Sequence, residues 1–464
     1  MTTFPDAEYL ILSSRLIPDH DGGYTFATLA RARQMAAAGV HGGAGPLLLT
    51  VDPGTREDHA RHRATFDGRD LVVDPSRMRN LFDESDAAHG GAADWLRAAS
   101  HPGEADPALQ YRVVAGRDGS PAVALPVIAG DPDWHISDAP VVVYGSGGRV
   151  AGIVDGFGAL YRAWLDHVVA ELRAGDPARP VVVVCESRQL GELLAGWADP
   201  GVRLVHAIHT IHLEPPFDPE ADLNPLWSRW FTVAEKFDAV LWPTRAQRAD
   251  VAARFGDAGV HVVVPHAVPA GSSVIPASDR VPGRAVMLNR LAPGKRVDLA
   301  VHAFVDVIAR VPHATLDIFG AGAEQEALQQ LVDALGLGAH VVLHGTTEDP
   351  GRVLDAASVF VSTSAYEGQG LSLAEALVHG TPVVAFDVRY GPRELLAEGG
   401  GVLVPDGDIG ALADALVRVL SDPDEHARLA REAITAARRV DPEHAMTALA
   451  QAARDVLSRP SRRG

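Results

Sequence analysis

Short apolar runs rich in Val, Ile and Leu recur along this 464-residue chain, each followed by a turn and then by apolar positions at helix spacing. Tyr9–Leu12, Leu47–Val51, Val181–Val184, Arg203–Ile208, Ala239–Trp242 and Val262–His266 carry the pattern through the first half, and the helix expected after the first run turns Phe26, Leu29 and Met35 inward. Ala285–Leu288, Leu316–Phe319, Val359–Val361 and Val383–Phe386 repeat it in the second. Runs this short and this continuously apolar suit strands buried on both faces, and the helices between them suit crossovers. The alternation therefore predicts an α/β fold with parallel sheets. A chain of this length can hold two or three sizeable cores.

Two stretches break the alternation. Ala267 to Arg284 is rich in Pro, Ser and Gly without a periodic pattern, and 267–284 reads as a linker. Between 52 and 155, an Arg- and His-dense segment, Arg56 to Arg79, precedes extended runs. Tyr111–Ala115 and Val123–Ile128 flank Arg117-Asp118-Gly119-Ser120, and Val141–Tyr144 and Arg149–Val154 flank Gly145-Ser146-Gly147-Gly148. These are hairpin patterns, so 52–155 is expected to be a β-rich insertion. It divides a first domain, 1–51 and 156–266, from which 285–440 stands apart as a second.

Chemistry gathers at the turns after the strands. Val359-Phe360-Val361 leads into Glu367-Gly368-Gln369-Gly370, and Leu371, Ala374, Leu377 and Val378 then follow helix spacing. A Gly-rich turn opening a helix leaves free N–H groups at a positive dipole end. Glu367 and Glu375 flank that site; they would repel a bare phosphate and suit the hydroxyls of a sugar or ribose attached to one. Ser372-Leu373-Ala374-Glu375 also fits a capping box, which alone would account for Glu375. Arg290 and Lys295 follow the strand Ala285–Leu288, Gly22-Gly23 follows the first strand, and His206, His209 and His212 surround the end of Arg203–Ile208. The histidines lack a nearby acidic or thiol ligand cluster, so no metal site is read from them. Gly320-Ala321-Gly322 lacks the third glycine of a dinucleotide fingerprint, which argues against hydride transfer. Asp131-Pro132-Asp133 and Asp406-Gly407-Asp408 read as turns.

The pair Glu367 and Glu375, with seven residues between them inside the frame EGQGLSLAEAL, resembles the signature of family-4 retaining glycosyltransferases. The resemblance implies a GT-B fold, two Rossmann-like domains facing across a cleft, with a C-terminal helix in 441–464 crossing back to the first. It implies that 1–51 and 156–266 hold the acceptor and 285–440 the nucleotide-sugar donor. Glu367 would lie at the donor sugar and Glu375 at the ribose; Gly368, Gln369, Gly370 and Leu371 would face the diphosphate and sugar. Arg290 and Lys295 match the basic pair on the diphosphate, where fixed cations stabilise the charge built as the sugar leaves. Gly22 and Gly23 resemble the N-terminal glycine loop. Gly320, Gly345 and Thr346 would border the base, and His209, with His212 as second choice, would approach the donor sugar. The expected catalytic set is Glu367, His209, Arg290 and Lys295, with no metal and no cofactor beyond a UDP-sugar, UDP-glucose or UDP-N-acetylglucosamine. Gln369 stands where the family usually has an aromatic residue. The insertion and Asp387–Glu394 resemble those of enzymes that α-glycosylate teichoic acids or Ser-rich proteins, in which the insertion binds long acceptors or builds oligomers.

The implied reaction moves a hexose or N-acetylhexosamine to a hydroxyl on a polymer, a protein or peptide, or a small molecule. Two alternatives share the scaffold: a non-catalytic partner subunit that presents an acceptor, and a sugar phosphorylase. Composition narrows the partners further. A net charge of -19 disfavours nucleic acid and anionic membrane surfaces. No stretch is long enough to span a bilayer. One cysteine, Cys185, suits a reducing compartment. With an N-terminus, MTTFPDAEYLILSS, that lacks a signal-peptide pattern, the expected location is cytoplasmic.

Overall fold

The structure, a computed structural model, describes residues 2–20, 22–131, 133–269 and 279–463. Half of the expected linker, 270–278, lies outside the described residues. Three sheets organise the rest, in chain order: β1 (Glu8–Ser13), β2 (Leu47–Thr50) and β3 (Met78–Asn80); then β4 (Tyr111–Ala115), β5 (Pro121–Pro126), β6 (Val141–Tyr144) and β7 (Val150–Val154). The first half closes with β8 (Val181–Cys185), β9 (Val202–Ala207), β10 (Ala239–Trp242) and β11 (His261–Val263). The second half holds β12 (Arg284–Leu288), β13 (Thr315–Phe319), β14 (Val341–Gly345), β15 (Val359–Ser362), β16 (Val383–Phe386) and β17 (Gly401–Val404).

Among the described residues the first sheet runs β11-β10-β9-β8-β1-β2-β3 and the second β14-β13-β12-β15-β16-β17, each parallel throughout. Their central strands are buried on both faces, as the continuous apolar runs require: every residue of β8, Val181 to Cys185, is enclosed. Each sheet separates two apolar clusters. The helix Pro442–Leu457 closes one face of the first sheet, where Ala445, Met446, Leu449 and Val456 join Tyr9, Ile11, Leu29, Val182 and Val205.

Three local expectations are corrected. The expected insertion starts too early at 52. Arg56–Gly68 is a helix, capped by Thr55, and β3 joins the first sheet beside β2; the antiparallel sheet β4-β5-β6-β7 spans 111–154. The charges hid this helix because its inward face is narrow, with His59 and Phe66 its buried residues. Phe26, expected inside, is half exposed, while Leu29 and Met35 of the same helix, Gly23–Ala37, are buried. Its first turn overhangs the carboxyl edge of the sheet. The last expected strand of the first half, Val262–His266, shortens to β11 because its continuation serves the cleft instead.

The carboxyl ends of parallel strands are where such folds approach ligands. Here both sets of ends face one another. Gln369 of the second half makes two hydrogen bonds to the backbone of His266 in the first, donating to its carbonyl and accepting from its N–H, both at 2.7 Å. Glu394 accepts from the N–H groups of Arg245 and Ala246, and Arg389 pairs with Asp250 at 2.7 Å.

Candidate active site

Between these edges lies a cavity of about 350 Å³. Its first wall carries Arg15 after β1, Tyr24 at the start of the following helix, Glu186 after β8 and His209 after β9. Arg290, after β12, reaches it from the opposite half.

The first wall is densely paired. Glu186 is fully buried; Arg31 donates to its Oε1 at 2.8 Å and His209 Nε2 lies 2.6 Å from its Oε2. Burial would raise this carboxyl, but the Arg31 charge and the bond to His209 prevail and hold it down at about 2. His209 stacks on His266, with ring centres 4.6 Å apart, and meets Tyr24 edge-on at 4.9 Å. His266 is fixed in turn: its Nε2 faces the Ile208 carbonyl at 3.1 Å, and Arg31 donates to its Nδ1 at 3.3 Å.

The second wall mixes paired and unpaired groups. Lys295 donates to Glu367 Oε1 at 2.5 Å, and the Ser364 hydroxyl donates to the same oxygen at 2.7 Å. The Glu367 backbone is clamped as well, its N–H donating to the Arg389 carbonyl and its own carbonyl accepting from Tyr390 N–H. Among the described residues the side chains of Arg290 and Glu375 have no hydrogen-bond or ion-pair partner. Glu375 is closely surrounded by protein, and that burial raises its carboxyl to about 7.

The glycines bring the halves close. A Cβ on Gly23 would sit 3.3 Å from Leu371 Cδ1, one on Gly22 would sit 3.9 Å from Arg290 Cδ, and one on Gly368 would sit 3.0 Å from the His209 carbonyl oxygen. Gly320 is required on steric grounds: at φ 138° its Cβ would overlap the Asn289 carbonyl oxygen at 1.8 Å. Its N–H donates to the Gly345 carbonyl at 2.7 Å, which joins two of the loops expected at the base. Thr346 is exposed beside them.

Of the expected site residues, His209 and Arg290 share the cavity, Lys295 and Glu367 pair beside it, and Gly22, Gly23, Gly368 and Leu371 meet across the cleft. Three expectations change. Gln369 has its whole amide committed to His266, so its side chain joins the two halves rather than reading a sugar. The capping box does not form, because Gly370 caps the helix Leu371–Val378 in a left-handed conformation and Glu375 falls in the second turn. His212, the second choice, is buried, stacked on Tyr390 and lowered to about 4 by burial, with Arg254 adding to it. The Asp-x-Asp triplets are structural. Asp133 accepts from Arg188, Gln189 and Arg229, Asp406 pairs with Arg296, and Asp408 caps the helix Ile409–Ser421. Sequence reasoning missed Glu186, Arg31, Arg15 and Tyr24. A charge directly after a buried strand, the signal that singled out Arg290, was present at Glu186 and passed unused.

Residues 277–436, in the second half, match the family described as Glycosyl transferases group 1. The chain is 33% identical over 207 residues to the poly(glycerol-phosphate) alpha-glucosyltransferase of Bacillus subtilis (strain 168), covering 44% of this chain and 30% of that one. It is 28% identical over 190 residues to the poly(ribitol-phosphate) alpha-N-acetylglucosaminyltransferase of Staphylococcus aureus (strain COL), covering 41% and 38%. Against the GtfA subunit of the UDP-N-acetylglucosamine–peptide N-acetylglucosaminyltransferase of Streptococcus gordonii it is 29% identical over 229 residues, covering 46% and 45%. The chain thus spans less than half the length of these curated relatives. Among solved structures, TarM superposes with a TM-score of 0.74 at 18% identity, over 97% of this chain and 99% of that one. The pneumococcal O-GlcNAc transferase GtfA in complex with UDP and GlcNAc gives 0.73 at 16%, over 98% and 100%. At such identities the likeness establishes the fold, which is GT-B.

Proposed function

We propose that this chain, a GT-B protein with a glycosyl transferases group 1 domain, moves a hexose or N-acetylhexosamine from a UDP-sugar to a hydroxyl acceptor with retention of configuration. The observation that carries this reading is Arg290, a cation without a partner among the described residues, set against the cavity that also exposes His209. Relatives that transfer glucose or N-acetylglucosamine, and a structural neighbour holding UDP and GlcNAc, support the donor class.

In this reading the donor diphosphate lies against Arg290 and Lys295. As the bond from the sugar to the diphosphate breaks, negative charge grows on the leaving oxygen. Fixed cations stabilise it at little reorganisation cost where water is excluded. The acceptor hydroxyl forms its bond from the face the diphosphate leaves and passes its proton to a diphosphate oxygen. Glu367, oriented by Lys295 and Ser364, steadies the positive charge developing at the sugar. Arg290 and Lys295 supply the charge that a metal would otherwise bring, and both Asp-x-Asp triplets are engaged elsewhere, so we read the reaction as metal-independent. Glu375 meets the ribose hydroxyls, which would give its unpartnered carboxylate donors. The first half, with the cavity's Arg15 and Trp227, takes the acceptor; its chemistry as a polymer, a peptide or a small molecule follows the range among the relatives. A buried lone thiol, Cys185, suits the cytoplasm. No helix among the described residues is long and apolar enough to cross a membrane.

Thermal-shift measurements with UDP-, GDP- and ADP-sugars test the donor, because a ligand of the folded state raises its apparent stability. UDP-glucose or UDP-N-acetylglucosamine is expected to raise the melting temperature, and no response to any nucleotide sugar would sink the proposal. Glu367→Ala is expected to keep UDP binding and to lose most turnover; unimpaired turnover removes Glu367 from the mechanism.

A further inference from the structure

The cavity's first wall contains a buried carboxylate for which the reaction outlined above has no use. Glu186 is fully enclosed and sits between Arg31, 2.8 Å from Oε1, and His209 Nε2, 2.6 Å from Oε2. A fully buried Arg–Glu pair is costly to assemble in an apolar environment, and breaking one by removing a partner is strongly destabilising. Such a pair beside a substrate cavity calls for a purpose. Its geometry supplies one. An ionised carboxylate only accepts hydrogen bonds, so the proton on the facing nitrogen must belong to His209. In the neutral form of the ring this places the hydrogen on Nε2 and leaves the lone pair on Nδ1. Nδ1 has no partner among the described residues. Stacking on His266 and the edge contact with Tyr24 hold the ring plane, and the Arg31 bond to His266 ties that neighbour to the same guanidinium.

We propose that Glu186, anchored by Arg31, is a positioning residue that sets the tautomer of His209, so that His209 offers the cavity a hydrogen-bond acceptor for a hydroxyl of the bound sugar or acceptor. The role in transfer rests on the glycosyltransferase reading; the tautomer itself does not. Glu186→Gln tests it sharply. Glutamine has one acceptor oxygen, and Arg31, which can only donate, claims it. The amide NH₂ then faces His209 Nε2 and forces the proton to Nδ1, which turns the acceptor presented to the cavity into a donor.

The experiment uses the ligand-free chain with ¹⁵N-labelled histidine, and the His209 signals are identified by their loss in His209→Asn. At pH 8, long-range ¹H–¹⁵N correlations are expected to show the Nε2–H form in the natural chain and the Nδ1–H form in Glu186→Gln. In parallel, UDP release from UDP-glucose and UDP-N-acetylglucosamine is expected to fall by about 10- to 1,000-fold in kcat, with KM for the donor within about 3-fold. Exchange of a histidine-orienting carboxylate for an amide can cost up to about 10⁴-fold through the wrong tautomer. Glu186→Gln should add nothing further in a His209→Asn background, because Glu186 acts through that ring; an additive effect would mark a merely structural role and overturn the proposal. An Nδ1–H form in the natural chain also overturns it, and needs no variant to fold. A natural chain that neither binds UDP nor releases it sinks the glycosyltransferase reading and the transfer role together, while the correlation spectrum still decides the coupling between Glu186 and His209.

Discussion

The two walls of the cleft treat charge in opposite ways. On the first, Arg31, Glu186, His209 and His266 form a linked set in which the buried carboxylate has its counterparts before any ligand arrives, and only His209 Nδ1 is left for the cavity. On the second, Lys295 and Glu367 are paired, but Arg290 and Glu375 have no partner among the described residues. Paired groups hold geometry, whereas unpaired ones hold free energy in reserve for whatever completes them. The first wall is thus built for orientation and the second for capture, and the donor is expected to be gripped mainly by the second.

The most direct way to break this contrast is Arg290→Ala. If Arg290 is the unspent cation of the donor pocket, turnover of a UDP-sugar should fall by about 10²- to 10³-fold, the range for removing one preorganised charge-stabilising group. A loss below about 3-fold, read from steady-state kinetics, would place the capturing charge elsewhere.

A second test extends the paired side beyond the cleft. His59 lies between Asp83, 2.7 Å from Nδ1, and Asp52, 3.4 Å from Nε2. Burial opposes its charge, but the two carboxylates prevail and raise it from 6.5 to about 9. The stabilisation is therefore whole below the ordinary value and drains away as pH climbs through 9, to a total of about 3 kcal/mol. Urea unfolding between pH 6 and 10 should show this decline, and His59→Gln should flatten it.

Third, Gln369→Ala removes the two bonds to His266 and leaves a buried N–H and carbonyl unpaired. A loss of about 2 kcal/mol in unfolding free energy is expected. An unchanged stability would mean that the walls face each other without this tie.

The smallest expected effect sharpens the unpaired side. Folding raises Glu375 from 4.5 to about 7, so its ionised form costs stability increasingly as pH rises from 4.5 through 7. A donor whose hydroxyls bind the carboxylate recovers that cost. UDP-glucose affinity, measured by calorimetry, should weaken by up to about tenfold as pH falls from 8 to 6, and Glu375→Gln should remove the dependence.

The same contrast governs what the sequence disclosed. The second wall was legible because its groups lie in local frames: Arg290 and Lys295 follow one strand, and Glu367 and Glu375 share one loop and helix. The first wall was legible at His209 but not in what holds it, because Arg31 and Glu186 belong to elements far apart in the chain, and a charged residue within a helix reads as solvated until its counterpart is known. Short-range rules also misled. Ser372 and Glu375 have the spacing of a capping box, but Gly370 starts the helix two residues earlier. Gln369 read as a substrate residue because its partner, His266, lies on the other half. The strands themselves were recovered well where both faces are buried, whereas the charged Arg56–Gly68 helix, with its narrow apolar face, was lost in the insertion.

The helix Pro442–Leu457 has a bearing on how the molecule comes into being. It supplies one flank of the first core, yet the whole second sheet is synthesised before it. On the ribosome the first half must therefore wait, with part of its apolar face uncovered, until the second half has emerged. The first half without this helix is consequently expected to expose that face when expressed on its own. A swap of second halves between relatives should carry this helix with the first half, so that each transplanted sheet keeps the surface that finishes it.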